Sequence, residues 1–378
     1  MSNQKLGILA VVAAVMVLWA VVQANLSSGR RAQPSGPAYL IQGMDQASIG
    51  SITVGEGDDM VRIERKENQF VVVNEGGYAA DTKQINDLIS KSLDIKTSEL
   101  YTDNPKNHKE LKVTEEEASH VVKFFKSDGS LLAGVVIGES RQTGQGTYVR
   151  LSSSDNVYVA QETPWFRSGA LDYVNQEIVA AKREDVNNVT VRTPGGSYTL
   201  QSKSEGNDAV MIDLPPDRKL KESDAKSVLT SLTSLRFDDV NKPADLPGLT
   251  FDHEYICRLE DSTEYRLKLA KKGEKTYLQC SAEYTDKTPV TIQPNKVDSP
   301  EELKAKEARL LAQEGAQKFT LRHKGWVYEI PDWKAKYLTM NVSDLFEEEE
   351  EEEPAEDTTA EPAEPVEISQ PVEPNQPA

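Results

Sequence analysis

The chain has 378 residues, enough for two ordinary domains with tails, and combines 38% apolar content with a formal net charge of −19. Thirteen acidic residues and no Lys or Arg lie from Glu347 onward, and removing them leaves the body near −6. A mildly acidic body without a basic stripe excludes nucleic-acid binding through phosphate contacts.

At the N-terminus, Leu6–Val22 is an uncharged apolar run. As a helix it would span about 26 Å, close to the ~30 Å hydrocarbon core of a bilayer. Trp19 near its outer end suits a membrane interface. This predicts a cytoplasmic stub over 1–5, a transmembrane anchor over 6–24 and a flexible Ser/Gly/Pro-rich tether over 25–47. A short stub before a large body places that body outside the cytoplasm. A signal peptide cleaved after Ala24 is the rival reading and would make a secreted protein.

The body then reads as one unit written twice. "IGSITV" from Ile49 answers "VNNVTV" from Val186, "MVRIER" from Met60 answers "SYTLQS" from Ser197, and "QFVVVN" from Gln69 answers "AVMIDL" from Ala209. All show the period-two alternation of strands. A helix follows in each copy: Ile85, Leu88, Ile89 and Ile95 after the cap Asp81, and Ala225, Val228, Leu229, Leu232 and Leu235 after the cap Ser223. Further strands follow at His120–Gly138 and Tyr255–Tyr284. The second copy gains a helical insertion over 299–314, capped by Ser299 with Pro300 at its first position.

"TYVRLSSSDNVYVA" (147–160) is matched with "KFTLRHKGWVYEI" (318–330), Val157-Tyr158 answering Val327-Tyr328 and Trp165 answering Trp333. On that match the three serines are a hairpin turn rather than a nucleophile. The tail, 347–378, holds seven consecutive Glu and six Pro and is expected to be disordered.

The predicted fold class is therefore α+β: two tandem repeats of antiparallel β-sheet with a packed helix, over 48–180 and 181–346. One transmembrane helix precedes them and a disordered acidic tail follows.

Chemistry-bearing patterns are sparse. The histidines at 108, 120, 253 and 323 lack zinc-site spacing, and "GESRQTGQG" lacks the Lys-Ser/Thr ending of a phosphate loop. No catalytic residue, cofactor or metal is expected. The carboxylates of "TEEEASH" (114–120) and "RFDDV" (236–240) are candidates for a hydrolytic pair, with charged turns as the simpler account. Trp165, Trp326 and Trp333 are caps over the core or partner-binding aromatics. Cys257 and Cys280 are disulfide candidates in an oxidising compartment, with two free buried thiols as the alternative.

Three stretches resemble the bacterial domain of unknown function 4340 family: "SITV" with "RIERKENQFVV", "YAADTKQINDLISKSLDIKTSELY", and "VVIGESRQTGQGTYVRLSSSDNVYVA". The likeness covers about 45–345. It implies a single-pass envelope protein of repeated α+β units, found near gliding-motility-type ABC transporter components, in the inner membrane with a periplasmic body. It carries over no functional residues, and the insertion and the acidic tail depart from it. The expected function is a membrane-anchored, non-enzymatic extracytoplasmic binding or scaffold protein with envelope protein partners, among which the resemblance points to ABC-type transporter subunits. The alternative is an envelope glycan- or peptide-directed hydrolase using carboxylates between the repeats.

Overall fold

The computed structural model describes residues 38–203, 208–290 and 298–347. Strand alternation governs most of this span: in Val61–Lys66 the side chains of Val61 and Ile63 are buried while Arg62 between them is exposed.

The first half runs β1 (Ala38–Tyr39), β2 (Ile49–Val54), β3 (Val61–Lys66), β4 (Gln69–Val72), β5 (Tyr78–Ala79), α1 (Thr82–Leu93) and β6 (Lys96–Thr102). It continues with β7 (His120–Lys126), β8 (Leu131–Ser140), β9 (Thr147–Leu151) and β10 (Val157–Ala160), and a short β11 (Glu177–Val179) leads onward. The second half opens with β12 (Val186–Thr193), β13 (Gly196–Ser202), β14 (Ala209–Met211), α2 (Glu222–Leu229), β15 (Leu235–Arg236) and β16 (Asp239–Asn241). There follow β17 (His253–Leu259), β18 (Thr263–Lys272), β19 (Lys275–Tyr284), α3 (Pro300–His323), β20 (Val327–Ile330) and α4 (Asp332–Leu338).

Two large antiparallel sheets result. One has the order β1-β6-β10-β9-β8-β7-β2-β3-β4-β5, and the other, read from its β16 end, is β16-β20-β19-β18-β17-β12-β13-β14. Strand for strand, the second order repeats the stretch from β6 to β4 of the first. The equivalence corrects one predicted pairing. The counterpart of β9 is β19, and α3 belongs to the connection from β19 to β20, which answers the Ser152–Asn156 turn between β9 and β10 of the first half.

The α+β class is corrected on the same grounds. Three antiparallel sheets dominate the described residues, with four α-helices beside them. Among the described residues no helix is long and apolar enough to cross a membrane. The one helix of sufficient length, α3, carries charges throughout, including Glu301, Lys304, Glu307, Arg309 and Lys318. The stub, the anchor over 6–24 and all but Glu347 of the acidic tail lie outside the described residues. The membrane and single-pass readings therefore lack support and are dropped.

Local signals account for the helix starts. Asp81 accepts a hydrogen bond from Lys83 N, and Ser299 forms a capping box with Glu302. Ser223 is not a cap: α2 begins at Glu222, and Leu232 and Leu235 lie beyond its end in a 3-10 turn and in β15. Lys318–His323, expected as a strand, is the last part of α3, which extends the predicted insertion to His323. Its apolar alternation does not follow burial, since Leu321 is 72% exposed while His323 is buried.

The halves are joined in two ways. β11 pairs with β15, crossing the expected boundary between residues 180 and 181. The second link is the β5 end of the first sheet, which meets the β16–β20 end of the second through Tyr78. Its ring lies 5.7 Å from Phe237, 5.0 Å from Trp326 and 6.1 Å from Tyr328, edge to face in each case. One contiguous hydrophobic cluster runs through both halves.

Candidate functional site

The serine loop between β9 and β10 is built around a buried cation. Arg150 donates from Nε to Val113 O (2.6 Å) and from Nη1 to the carbonyls of Leu151 (3.1 Å), Ser152 (3.3 Å) and Ser154 (3.4 Å). Burial lowers its pKa, while Glu115 and Asp155 act in the opposite direction. Ser154 Oγ accepts from Asn156 N, and Ser152 Oγ is buried with no hydrogen-bond partner. A side chain at Gly134 would bring a Cβ within 2.1 Å of that hydroxyl, so glycine is what admits the loop here. The nearby imidazole, His108, pairs through Nε2 with Asp155 O (2.9 Å). Among the described residues no imidazole or carboxylate is hydrogen-bonded to any of the three serine hydroxyls, so the loop has the geometry of a turn. Arg150→Met should cost about 2–4 kcal/mol in urea denaturation, because one buried and three part-buried carbonyls lose their donor together. Ser153→Ala should stay within about 0.5 kcal/mol. A reversed order of these two costs would contradict the assignment.

The candidate carboxylates have separate fates. Glu115 is paired with Lys123 (2.8 Å), which also meets Glu56 (3.2 Å). Asp239 accepts from Val240 N (2.7 Å) and Asn241 Nδ2 (3.1 Å). Asp238 is held above the ordinary carboxylate range by burial and then by Glu329 and Asp332. Glu75, from the first half, is raised by burial and then by Asp239. Glu329 in turn accepts from Lys275 (2.8 Å). Glu75, Asp238, Asp239 and Glu329 lie about the junction, but its interior is filled by Tyr78, Phe237 and Tyr328, all buried.

A groove of about 560 Å³ opens where the β18–β19 turn meets α4 and the segment after it. Lys271, Lys336, Asp224, Glu274, Asp332 and Asp344 line it. Both signs of charge alternate around it, which suits polar contact with a macromolecular surface better than enclosure of an apolar ligand. Of the acids at the junction, only Asp332 reaches this groove.

The three tryptophans do not act as one patch. Trp165, 67% exposed, follows β10 and lies edge-on to His120 at 6.4 Å. Trp333, 63% exposed, follows β20 and carries the Lys334 ammonium 5.0 Å from its ring centroid. Lys334 is itself buried and donates to Ser231 O (3.0 Å), and burial lowers its pKa. Trp326 is half-buried at the junction, with Lys242 Nζ 5.7 Å from its ring.

Cys257 and Cys280 are free and buried on β17 and β19, with β18 between them. Two strand spacings amount to about 9.6 Å, beyond the ~7 Å Cα separation a disulfide tolerates. Burial pushes both thiols up to about 12.

Among the described residues no group of three or more His, Cys, Asp or Glu is placed to hold a metal ion. His253 pairs with Asp252 (2.6 Å), burial lowers the pKa of His120, and His323 lies in the junction with Nδ1 2.7 Å from Tyr328 Oη. The junction trio Tyr78, Phe237 and Tyr328 was not singled out from sequence. Its members lie in separate strands and turns, and no local pattern links them.

Residues 71–254 match the family model described as Domain of unknown function (DUF4340). The matched span runs from β4 to the start of β17, across both halves, and is narrower than the 45–345 of the sequence resemblance. No curated protein and no solved structure matches the chain.

Proposed function

The chain belongs to the DUF4340 family, and we propose that it is a non-enzymatic binding or scaffold protein whose paired sheets hold partner-contacting aromatics in fixed positions. The supporting observation is that Trp165 and Trp333 leave equivalent strands, β10 and β20, and that each is about two-thirds exposed. A large exposed indole is out of place on an inert surface and is the side chain most enriched in binding hot spots. The charged groove lies one residue along α4 from Trp333 and would supply the polar rim of such an interface.

Hydrolysis by carboxylates between the halves has less support, because aromatic side chains fill the space a substrate would need. The partner is a protein in this reading, and subunits of an ABC-type transport complex are the first to try, on the family resemblance alone. An extracytoplasmic setting belongs to the same proposal and rests on the sequence.

Affinity capture with the full chain, beside a Trp165→Ala/Trp333→Ala double variant, tests the reading. The wild type should retain a partner set that the double variant loses by about tenfold or more. Equal capture by both proteins would overturn it. So would hydrolysis of envelope glycan or peptide by the purified chain that disappears in Glu75→Gln or Asp238→Asn.

A further inference from the structure

The groove between the β18–β19 turn and α4 has a floor and a rim of different chemistry. Its floor is Thr276, Ala335, Thr339 and Met340, all buried. The Thr339 hydroxyl donates to Ala335 O at 2.9 Å. The Thr276 hydroxyl has no hydrogen-bond partner among the described residues, although the residue is only 4% exposed. Thr276 lies two positions before Leu278, whose side chain joins Ala335 and Leu338 of α4 in the core, so strand alternation turns both to the α4 side. Its hydrogen bond is left for whatever enters the groove. The rim carries Lys221 and Asp224 at the start of α2, Lys271 and Glu274 about the β18–β19 turn, and Asp332 and Lys336 on α4. None of these six forms an ion pair among the described residues. Asp332 and Lys336 have the i, i+4 spacing, acid first, that favours pairing. The same spacing closes at 2.8 Å in Asp87–Lys91 and at 2.6 Å in Glu314–Lys318. In α4 Lys336 Nζ instead lies 5.4 Å from the Tyr337 ring centroid.

We propose that this groove binds a short extended peptide segment carrying both an acidic and a basic side chain, with the Thr276 hydroxyl bonded to the peptide backbone. That the segment comes from a protein partner rests on the binding reading given above. The open charges select the class of ligand. A wholly anionic ligand would face Asp224, Glu274, Asp332 and Asp344, and a wholly cationic one would face Lys221, Lys271 and Lys336. A ligand of both signs meets opposite charge on each of the three elements. It does so without first breaking a pair, since each rim charge stands open. The volume of about 560 Å³ admits about three residues of extended chain, and the buried floor gives them apolar contact.

Isothermal titration of the full chain with two capped tripeptides, acetyl-Lys-Ala-Glu-amide and acetyl-Glu-Ala-Lys-amide, tests this beside the neutral acetyl-Gln-Ala-Gln-amide. At least one charged peptide should bind with a Kd of about 10–500 μM, and the neutral one about tenfold more weakly or worse. Asp332→Lys and Lys336→Glu should each weaken the charged peptide by about tenfold with an unchanged circular dichroism spectrum. Thr276→Val keeps the shape and removes the hydroxyl. It should weaken the peptide about fivefold while leaving the urea midpoint unchanged or higher, because nothing in the free chain bonds that hydroxyl. A purely structural threonine would give the reverse. The Trp165→Ala/Trp333→Ala variant should keep the charged peptide to within about threefold, so this site and the partner-binding reading fail in separate experiments. No charged peptide bound more tightly than about 1 mM overturns the proposal. A neutral peptide bound equally well, or a Thr276→Val variant that binds as the wild type does, overturns it too.

Discussion

Replacing Tyr78 with alanine is expected to lower the unfolding free energy by about 3–5 kcal/mol. Tyr78 is 2% exposed and belongs to the first half, while the three rings around it, Phe237, Trp326 and Tyr328, belong to the second. Truncation therefore removes one side of the junction and leaves a cavity walled by rigid rings that cannot collapse into it. Tyr78→Phe keeps the packing and loses only the hydroxyl facing Tyr328 Oη at 3.4 Å, so it should cost about 1 kcal/mol or less. Urea denaturation of both variants measures the difference. A Tyr78→Ala cost no larger than that of Tyr78→Phe would mean that the halves are held elsewhere.

Acid should weaken the same junction through His323. Its imidazole is buried beside Tyr328, and its Nε2 has no hydrogen-bond partner. Burial, with a smaller contribution from the Arg322 charge, holds its pKa down at about 4 against an ordinary value near 6.5. The unfolded chain therefore binds the proton more readily than the folded one. This contribution is fully present above pH 6.5 and is lost as pH falls from there through 4, amounting to about 3 kcal/mol at the acid end. His323→Gln cannot titrate. The stability gap between wild type and variant should narrow by about that amount between pH 7 and pH 4, in urea denaturation at matched ionic strength. A gap that holds constant with pH would show that the ring is not buried in its neutral form.

Much of the double sheet was legible because its signals are local. Period-two alternation located the principal strands of both halves, and Asp81 and Ser299 marked two helix starts through their short polar side chains. The match of "VYVA" with "VYEI" also places β10 and β20 at equivalent positions of the two sheets. The errors arose where one pattern fits two structures. Phe319, Leu321 and His323 alternate as strand residues do, yet they continue a helix begun twenty residues earlier, and six residues are too few to separate the two periods. The junction was hidden for a different reason. Tyr78 and Tyr328 are 250 positions apart, and their meeting is set by how two finished sheets abut rather than by anything either segment encodes alone.

One continuous core welds two equivalent sheets into a single cooperative body. Differential scanning calorimetry of the full chain should therefore show one transition whose calorimetric and van't Hoff enthalpies agree, and two transitions once Tyr78 is alanine. Two separated transitions in the wild type would contradict it.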